Sequence, residues 1–340
     1  MNPRPEKILA LQFKYFGDAV LMTPALRALR GHFPQGQLHL LVPAEMAPLF
    51  QHLAWLDRVW AMPRKRGSAS WYETWPLIRA LRAGQFDRSV DFASNDRGAI
   101  LSRLSGARRR LGWAQPGGFL GRKWCYNEHA ASAPDQVHES VRLLKLLSVW
   151  EVPTPASFAS EIRPDPTLTE AAKNILPESG AIICHLASSQ SKKEWPVSRW
   201  AEFHRLASAS GYPLVFTTAR GERETGLMSE LRKFAPAARI LPEIPDLALF
   251  LAVLSRGAVF VSGDTGPLHF AAGLGVPTIS LFGPTAASRW APLGGRHQAL
   301  TGAACHCDGH SAVCQAARHC LAQICPESVL GALKKAEIKP

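Results

Sequence analysis

Ala258-Val259-Phe260-Val261-Ser262-Gly263-Asp264-Thr265-Gly266-Pro267-Leu268-His269-Phe270-Ala271-Ala272 joins a strand to a helix through an acidic, glycine-containing turn. The first four residues form a short apolar run with β-branched members, of the kind that fills the centre of a parallel sheet. Beyond the turn, Leu268, Ala271, Ala272 and Leu274 recur at helical spacing. The turn therefore lies at the carboxyl end of a strand and the amino end of a helix, where unpaired N–H groups and the positive end of the helix dipole favour anions. Gly266 lets a phosphate approach the main chain, while Asp264 and Thr265 are also placed to cap the helix.

The same strand–turn–helix pattern repeats outward from this point. In the second half, strand-like runs at 181–186, 213–217, 239–241, 258–261 and 278–282 are separated by helical segments. In the first half, runs at 8–13, 38–42, 88–92 and 109–112 alternate with helices near 45–53, 71–84, 97–105 and 137–149, and one helix is expected after Gly17-Asp18 with Val20, Leu21, Pro24, Ala25, Leu26 and Leu29 on its buried side. Alternation of this kind predicts an α/β protein with parallel sheets covered by helices. A proline-rich shift from Pro153 to Pro166 reads as a linker, giving a first domain over 1–152, a linker over 153–167 and a second domain over 168–325. The last segment, 326–340, reads as a helix and tail, with packing back on the first domain left open.

Composition narrows the class. The chain of 340 residues is 46% hydrophobic and 19% charged, long enough for two ordinary domains. Apolar runs are broken well before the roughly 18 residues of a membrane span, and Lys14 and Asp18 interrupt any signal-peptide pattern, so a cytoplasmic protein is expected. The formal charge of +12 is uneven: residues 1–150 carry +10 and residues 151–340 carry +2. Arg64-Lys65-Arg66, Arg108-Arg109-Arg110 and Arg122-Lys123 are candidates for contact with something acidic, or are solvated surface. Nucleic acid is not the expected partner, since no recognised module or aromatic-basic repeat is present. A nicotinamide oxidoreductase is disfavoured too, because the turn Lys14-Tyr15-Phe16-Gly17-Asp18 lacks G-x-G-x-x-G and its acid would repel a pyrophosphate.

Four stretches, in order along almost the whole chain, carry a family resemblance: Phe16-Gly17-Asp18-Ala19-Val20 at the opening of the first helix; Lys193-Glu194-Trp195-Pro196; Asp264-Thr265-Gly266-Pro267-Leu268-His269 with Gly275-Val276-Pro277 and Leu281-Phe282-Gly283-Pro284-Thr285; and Cys320-Leu321 with Pro326-Glu327-Ser328-Val329. The chain resembles the ADP-heptose:lipopolysaccharide heptosyltransferases, inverting glycosyltransferases of GT-B architecture with two Rossmann-like domains facing a central cleft. That resemblance implies an ADP-heptose donor, an anionic lipopolysaccharide core acceptor and no cofactor. It also implies a cytoplasmic enzyme in peripheral contact with the inner face of the inner membrane. A related glycosyltransferase using another nucleotide sugar or acceptor is the alternative.

The resemblance assigns the general base to Asp18, whose side chain is also placed to cap the helix expected near Ala19. It assigns contact with the donor phosphates and sugar to Lys193, preferred over Lys192 by its distance from Trp195, and Ser188 and Ser189 are placed to add hydroxyl donors. An acid binding the ribose falls on Glu222 or Glu224, after a Thr217-Thr218-Ala219-Arg220-Gly221 segment that departs from the family's glycine-rich one. Asp264, Thr265, Gly266 and His269 complete the donor site by similarity. Acceptor binding falls to the first domain, with Arg64, Lys65, Arg66, Arg122 and Lys123 as candidates, because arginine pairs its planar fork with carboxylate or phosphate.

No paired aspartates stand out to hold a metal on a diphosphate, and the resemblance is to enzymes that need none. Five of the seven cysteines, Cys305, Cys307, Cys314, Cys320 and Cys325, fall within 21 residues. In a cytosolic chain such clustering points to metal rather than disulfides, yet the C-x-C-x6-C-x5-C spacing is not a zinc signature.

Overall fold

The computed structural model describes residues 4–63, 71–114, 118–131, 136–303, 305, 313–314 and 319–336. The chain forms two compact units, Met1–Phe158 and Ala159–Pro340, dividing inside the proline-rich segment.

In the first unit the elements run β1 (Lys7–Leu11), α1 (Phe16–Leu21), α2 (Thr23–His32), β2 (Gln37–Pro43), β3 (Arg58–Met62), α3 (Trp71–Ala83), β4 (Arg88–Asp91), α4 (Asp96–Leu104), β5 (Arg109–Trp113), β6 (Glu128–Ala130) and α5 (Glu139–Leu146). Among the described residues the strands form one parallel sheet in the order β3-β2-β1-β4-β5-β6. Leu9, Leu11, Leu41, Trp60 and Phe86 fill part of its core.

The single helix expected after Gly17-Asp18 is two helices. Pro24 has no N–H for the Val20 carbonyl, so the ladder breaks there; the Thr23 hydroxyl donates to that carbonyl instead at 2.8 Å, and α2 starts afresh with Pro24 in its first turn. The helix expected near 45–53 is a 3₁₀ run, Ala44–Leu49, again with an internal proline, Pro48.

The second unit continues with α6 (Thr169–Ile175), β7 (Ile182–His185), α7 (Val197–Ala209), β8 (Leu214–Thr217), α8 (Glu222–Phe234), β9 (Arg239–Ile240), α9 (Leu247–Leu254), β10 (Val259–Gly263), α10 (Gly266–Gly273), β11 (Thr278–Phe282), α11 (Ala287–Trp290), β12 (His297–Thr301) and α12 (Pro326–Lys335). Its parallel sheet has the order β12-β11-β10-β7-β8-β9, the same winding as the first. Each sheet therefore reverses its winding once, between β1 and β4 and between β7 and β10, and the strand ends at such a reversal are where α/β sheets bind ligands.

The carboxy-terminal helix α12 packs on α7, β11 and β12 of its own unit. Trp195 makes that attachment specific. It is 2% exposed, meets Trp200 edge-on at 5.0 Å and donates its indole N–H to the Ile324 carbonyl at 3.1 Å.

Candidate active site

Each unit gathers a set of polar side chains at its own sheet reversal. In the first unit Asp18 follows β1 in the first turn of α1, whose N-cap is Tyr15 with no side-chain cap hydrogen bond. The capping role open to Asp18 in the sequence is therefore not its role, because the helix starts three residues earlier than expected. Asp18 is 7% exposed, and burial raises its carboxyl to about 6; the Glu139 charge adds to the rise, while Lys14 and Arg142 oppose it. Glu139 and Arg142 neutralise each other through two contacts of 2.8 and 2.5 Å, and Arg142 also lies over the Trp113 ring at 5.3 Å. The result is a partly desolvated carboxylate that accepts a proton more readily than a surface aspartate.

Across the same reversal, Asp91 ends β4 fully buried, with its carboxyl raised to about 6 by burial. It accepts from the Tyr126 hydroxyl at 2.6 Å and the Ala93 N–H at 2.9 Å. Two glycines make room for this pair: a Cβ on Gly98 would overlap the Asp91 carboxylate, and one on Gly112 would lie 2.6 Å from the Tyr126 ring.

In the second unit Asp264, at the end of β10, is the hub. Its Oδ2 accepts from Lys193 Nζ and from the Thr285 hydroxyl, both at 2.8 Å, and its carbonyl accepts from the Ser188 hydroxyl at 3.2 Å. These partners come from the ends of β7, β10 and β11. Gly263 is required by the geometry, since a Cβ there would stand 2.5 Å from the Lys193 carbonyl oxygen. A second chain of contacts ties β7 to α8: Glu194 accepts from the Ser188 N–H at 2.9 Å and from Arg223 at 2.5 Å, and Arg223 also reaches the Ser188 carbonyl at 2.5 Å and Glu224 at 2.7 Å.

Lys193 thus stands beside Asp264 while Lys192 is buried at 6% exposure. Thr265 is the N-cap residue of α10 by position but makes no side-chain cap bond, and His269 is buried one turn further in. Glu222 and Glu224 open α8; Glu222 is exposed, whereas Glu224 is half-buried against Arg223 and Gly221. Ser188 is buried and bonded to the main chain, and Ser189 is exposed. Thr285, Arg223, Glu194, Glu139 and Arg142 received no role from the sequence. The signal for Arg223 was available in the Glu-Arg-Glu start of α8, and Glu194 and Thr285 lie within the quoted motifs; Glu139 and Arg142 are brought in by α5 packing on α1.

Of the basic candidates, Arg122 is turned inward, donating to the Ser94 carbonyl and lying 3.7 Å from Asp96, while Lys123 is exposed. Arg109 pairs with Glu128 at 2.6 Å, and Arg110 donates to the Cys125 and Ala107 carbonyls. Arg64, Lys65 and Arg66 lie outside the described residues, as does Cys307. Burial and a hydrogen bond with the Cys305 thiol push Cys320 up to about 11, which keeps it protonated. Among the described residues no group of three His, Cys, Asp or Glu side chains is placed to hold a metal ion.

Two Rossmann-like units in one chain, each with a polar array at its reversal, give the GT-B architecture. The profile of Glycosyltransferase family 9 (heptosyltransferase) matches residues 74–316, and the chain belongs to that family. Lipopolysaccharide heptosyltransferase 3 of Escherichia coli is 22% identical over 292 residues, covering 82% of this chain and 84% of its own. Among solved structures, a family 9 glycosyl transferase from Veillonella parvula superposes with a TM-score of 0.82 at 18% identity, with 97% of each chain covered. Escherichia coli heptosyltransferase WaaC, solved with ADP and with ADP-2-deoxy-2-fluoro heptose, superposes with TM-scores of 0.74 and 0.69 at 21% identity, covering 97% of this chain and 99% of that one.

Proposed function

We propose that this chain is an inverting glycosyltransferase that moves heptose from ADP-heptose to the inner core of lipopolysaccharide. The observation that carries the mechanism is Asp18, a buried carboxylate raised to about 6 that is not used as a helix cap. Asp18 takes the proton of the acceptor hydroxyl as that oxygen bonds to the anomeric carbon from the face opposite the diphosphate. The bond from anomeric carbon to phosphate oxygen breaks, ADP leaves with the electron pair, and the proton stays on Asp18.

The developing charge on ADP falls to Lys193 and to the N–H groups that open α10 at Gly266. Asp264, itself fixed by the Thr285 hydroxyl, holds the Lys193 ammonium in place until the diphosphate arrives. Glu222, exposed at the start of α8, is the ribose ligand in this reading, and Glu224 orients Arg223. With these protein groups on the diphosphate, transfer should survive chelation by EDTA; loss of activity restored by a divalent ion would contradict that assignment.

The relatives named as lipopolysaccharide heptosyltransferases and the ADP-heptose analogue bound to WaaC support the donor and acceptor classes. The +10 charge of residues 1–150 supports an anionic acceptor and a cytoplasmic enzyme in peripheral contact with the inner membrane. No helix among the described residues is long and apolar enough to cross a membrane. The test is ADP release and product mass with purified protein, ADP-heptose and defined core acceptors, with the new anomeric linkage read by NMR. Transfer from a different nucleotide sugar at higher kcat/KM would replace the heptose assignment, and retention of configuration would remove the Asp18 mechanism.

A further inference from the structure

The loop Gly118-Phe119-Leu120-Gly121-Arg122-Lys123-Trp124 has no role in the donor site or in proton transfer, yet it carries three exposed large apolar side chains. Leu120 is 92% exposed, Trp124 65% and Phe119 39%, and Ile100, 43% exposed, lies on α4, the helix packed against this turn. Single exposed apolar residues are ordinary; three large ones within six residues form a patch that needs an occupant.

The loop is framed from beneath. Arg122 donates to the carbonyl of Ser94, a residue held at a φ of 51°, and the Phe119 N–H donates to Asp96 at 3.3 Å. Internal bonds from the Arg122 N–H to Phe119 and from the Trp124 N–H to Gly121, at 3.0 and 3.1 Å, close two turns. Just beyond, Cys125 is buried and Tyr126 is locked to Asp91. Phe119 and Trp124 flank Gly121, where a Cβ would lie 2.9 Å from one ring and 3.7 Å from the other. The apolar side chains are therefore presented outward on a fixed base.

Their surroundings are cationic. Lys123 Nζ lies 5.2 Å from the Trp124 ring centre, and the charges of Arg103 and Arg110 are felt at Cys125, opposed there by that of Asp96. A tryptophan, a leucine and a phenylalanine set beside lysine and arginine match the two layers of an anionic bilayer surface. The rings and the leucine enter the acyl boundary, and the cations stay with the phosphates.

We infer that this loop is the surface through which the protein docks on an anionic lipid bilayer. The inference deepens the reading that the acceptor is membrane-borne, and it is tested without substrate, so its failure is separate from failure of that reading. The full chain is sedimented with vesicles of phosphatidylethanolamine and phosphatidylglycerol at 3:1, and with pure phosphatidylcholine vesicles. The expected result is binding to the anionic vesicles only, weakened by salt, and reduced at least roughly tenfold in Leu120→Ser/Trp124→Ser with an unchanged thermal melt. The single variants Leu120→Ser and Trp124→Ser should each lose part of the binding.

Equal binding by parent and double variant, or no binding by the parent, overturns the assignment. A parent dimer that dissociates in the double variant would make the patch a subunit interface instead. A double variant that loses transfer to a delipidated, water-soluble acceptor would place the patch in the glycan site. Each of those two results also overturns the docking role.

Discussion

An ionised carboxylate held at 7% exposure destabilises the fold that holds it, so Asp18→Asn should separate activity from stability. Well below its ordinary value of 3.8, Asp18 is neutral in both folded and unfolded chains. Between its ordinary value of 3.8 and about 6 the unfolded chain loses its proton first, so the folded state loses relative stability as pH rises, and above 6 the penalty is complete. The asparagine variant should therefore be more stable than the parent at pH 8, by about 2–3 kcal/mol at most, with most of the difference gone near pH 4. Paired thermal melts at the two pH values check this. Its turnover should fall roughly 10²–10⁴-fold with ADP affinity nearly unchanged, and the parent's kcat should show an acidic limb near pH 6. At Lys193, removal of the ammonium should cost about 1.5–3 kcal/mol in kcat/KM. Lys192→Ala should instead lower the melting temperature, because that side chain is 6% exposed. Calorimetry with ADP distinguishes the two lysines.

Among elements, the turn between β10 and α10 is fixed less by its own residues than by the loop that crosses it. Gly263→Ala would press a methyl group to 2.5 Å from the Lys193 carbonyl oxygen, which is backbone and cannot swing aside. The Lys193 turn must then move, and the donor KM should rise more than about tenfold while acceptor binding stays near that of the parent; steady-state kinetics with both substrates varied would show the split. The strands β1, β7, β10 and β11 were legible in the sequence because burial on both faces makes them nearly continuous apolar runs. β3, β6 and β12 were not. They lie at sheet edges, are exposed or only half-buried at most positions, and carry Arg58, Glu128, His129, His297 and Gln298, so they lack the run that marks a buried strand.

Over the whole chain, charge divides the work: +10 in residues 1–150 against +2 in the remainder. Exposed charges are screened as the Debye length falls from about 10 Å at 0.1 M salt to about 3 Å at 1 M. The acceptor KM should accordingly rise steeply with salt, and the donor KM less. Of the charge reversals that test this, Lys123→Glu should weaken acceptor use. Arg122→Glu should instead lower the melting temperature, since its guanidinium is tied to Ser94 and Asp96. A wild-type acceptor KM in Lys123→Glu and in an Arg64, Lys65 and Arg66 reversal at low salt would leave these clusters as ordinary solvated surface.

The sequence by itself determined the α/β class and a division near the proline-rich segment, and it pointed to Asp18, Lys193 and the Asp264 turn as candidate positions. These are local properties: periodicity, turn residues and short motifs are read within a few residues of one another. Only the tertiary structure decided what those residues touch. The sheet order brings β7 beside β10, and β4, β5 and β6 side by side, so Lys193 meets Asp264 across 71 residues and Tyr126 meets Asp91 across 35. Whether Asp18 caps a helix or stands as a buried carboxylate with no capping role turned on where α1 begins, and whether Arg122 reaches outward turned on the Ser94 carbonyl beneath it. Pairings of that kind depend on strand order, which no local pattern encodes, because the hydrogen bonds that set it form between segments far apart in the chain.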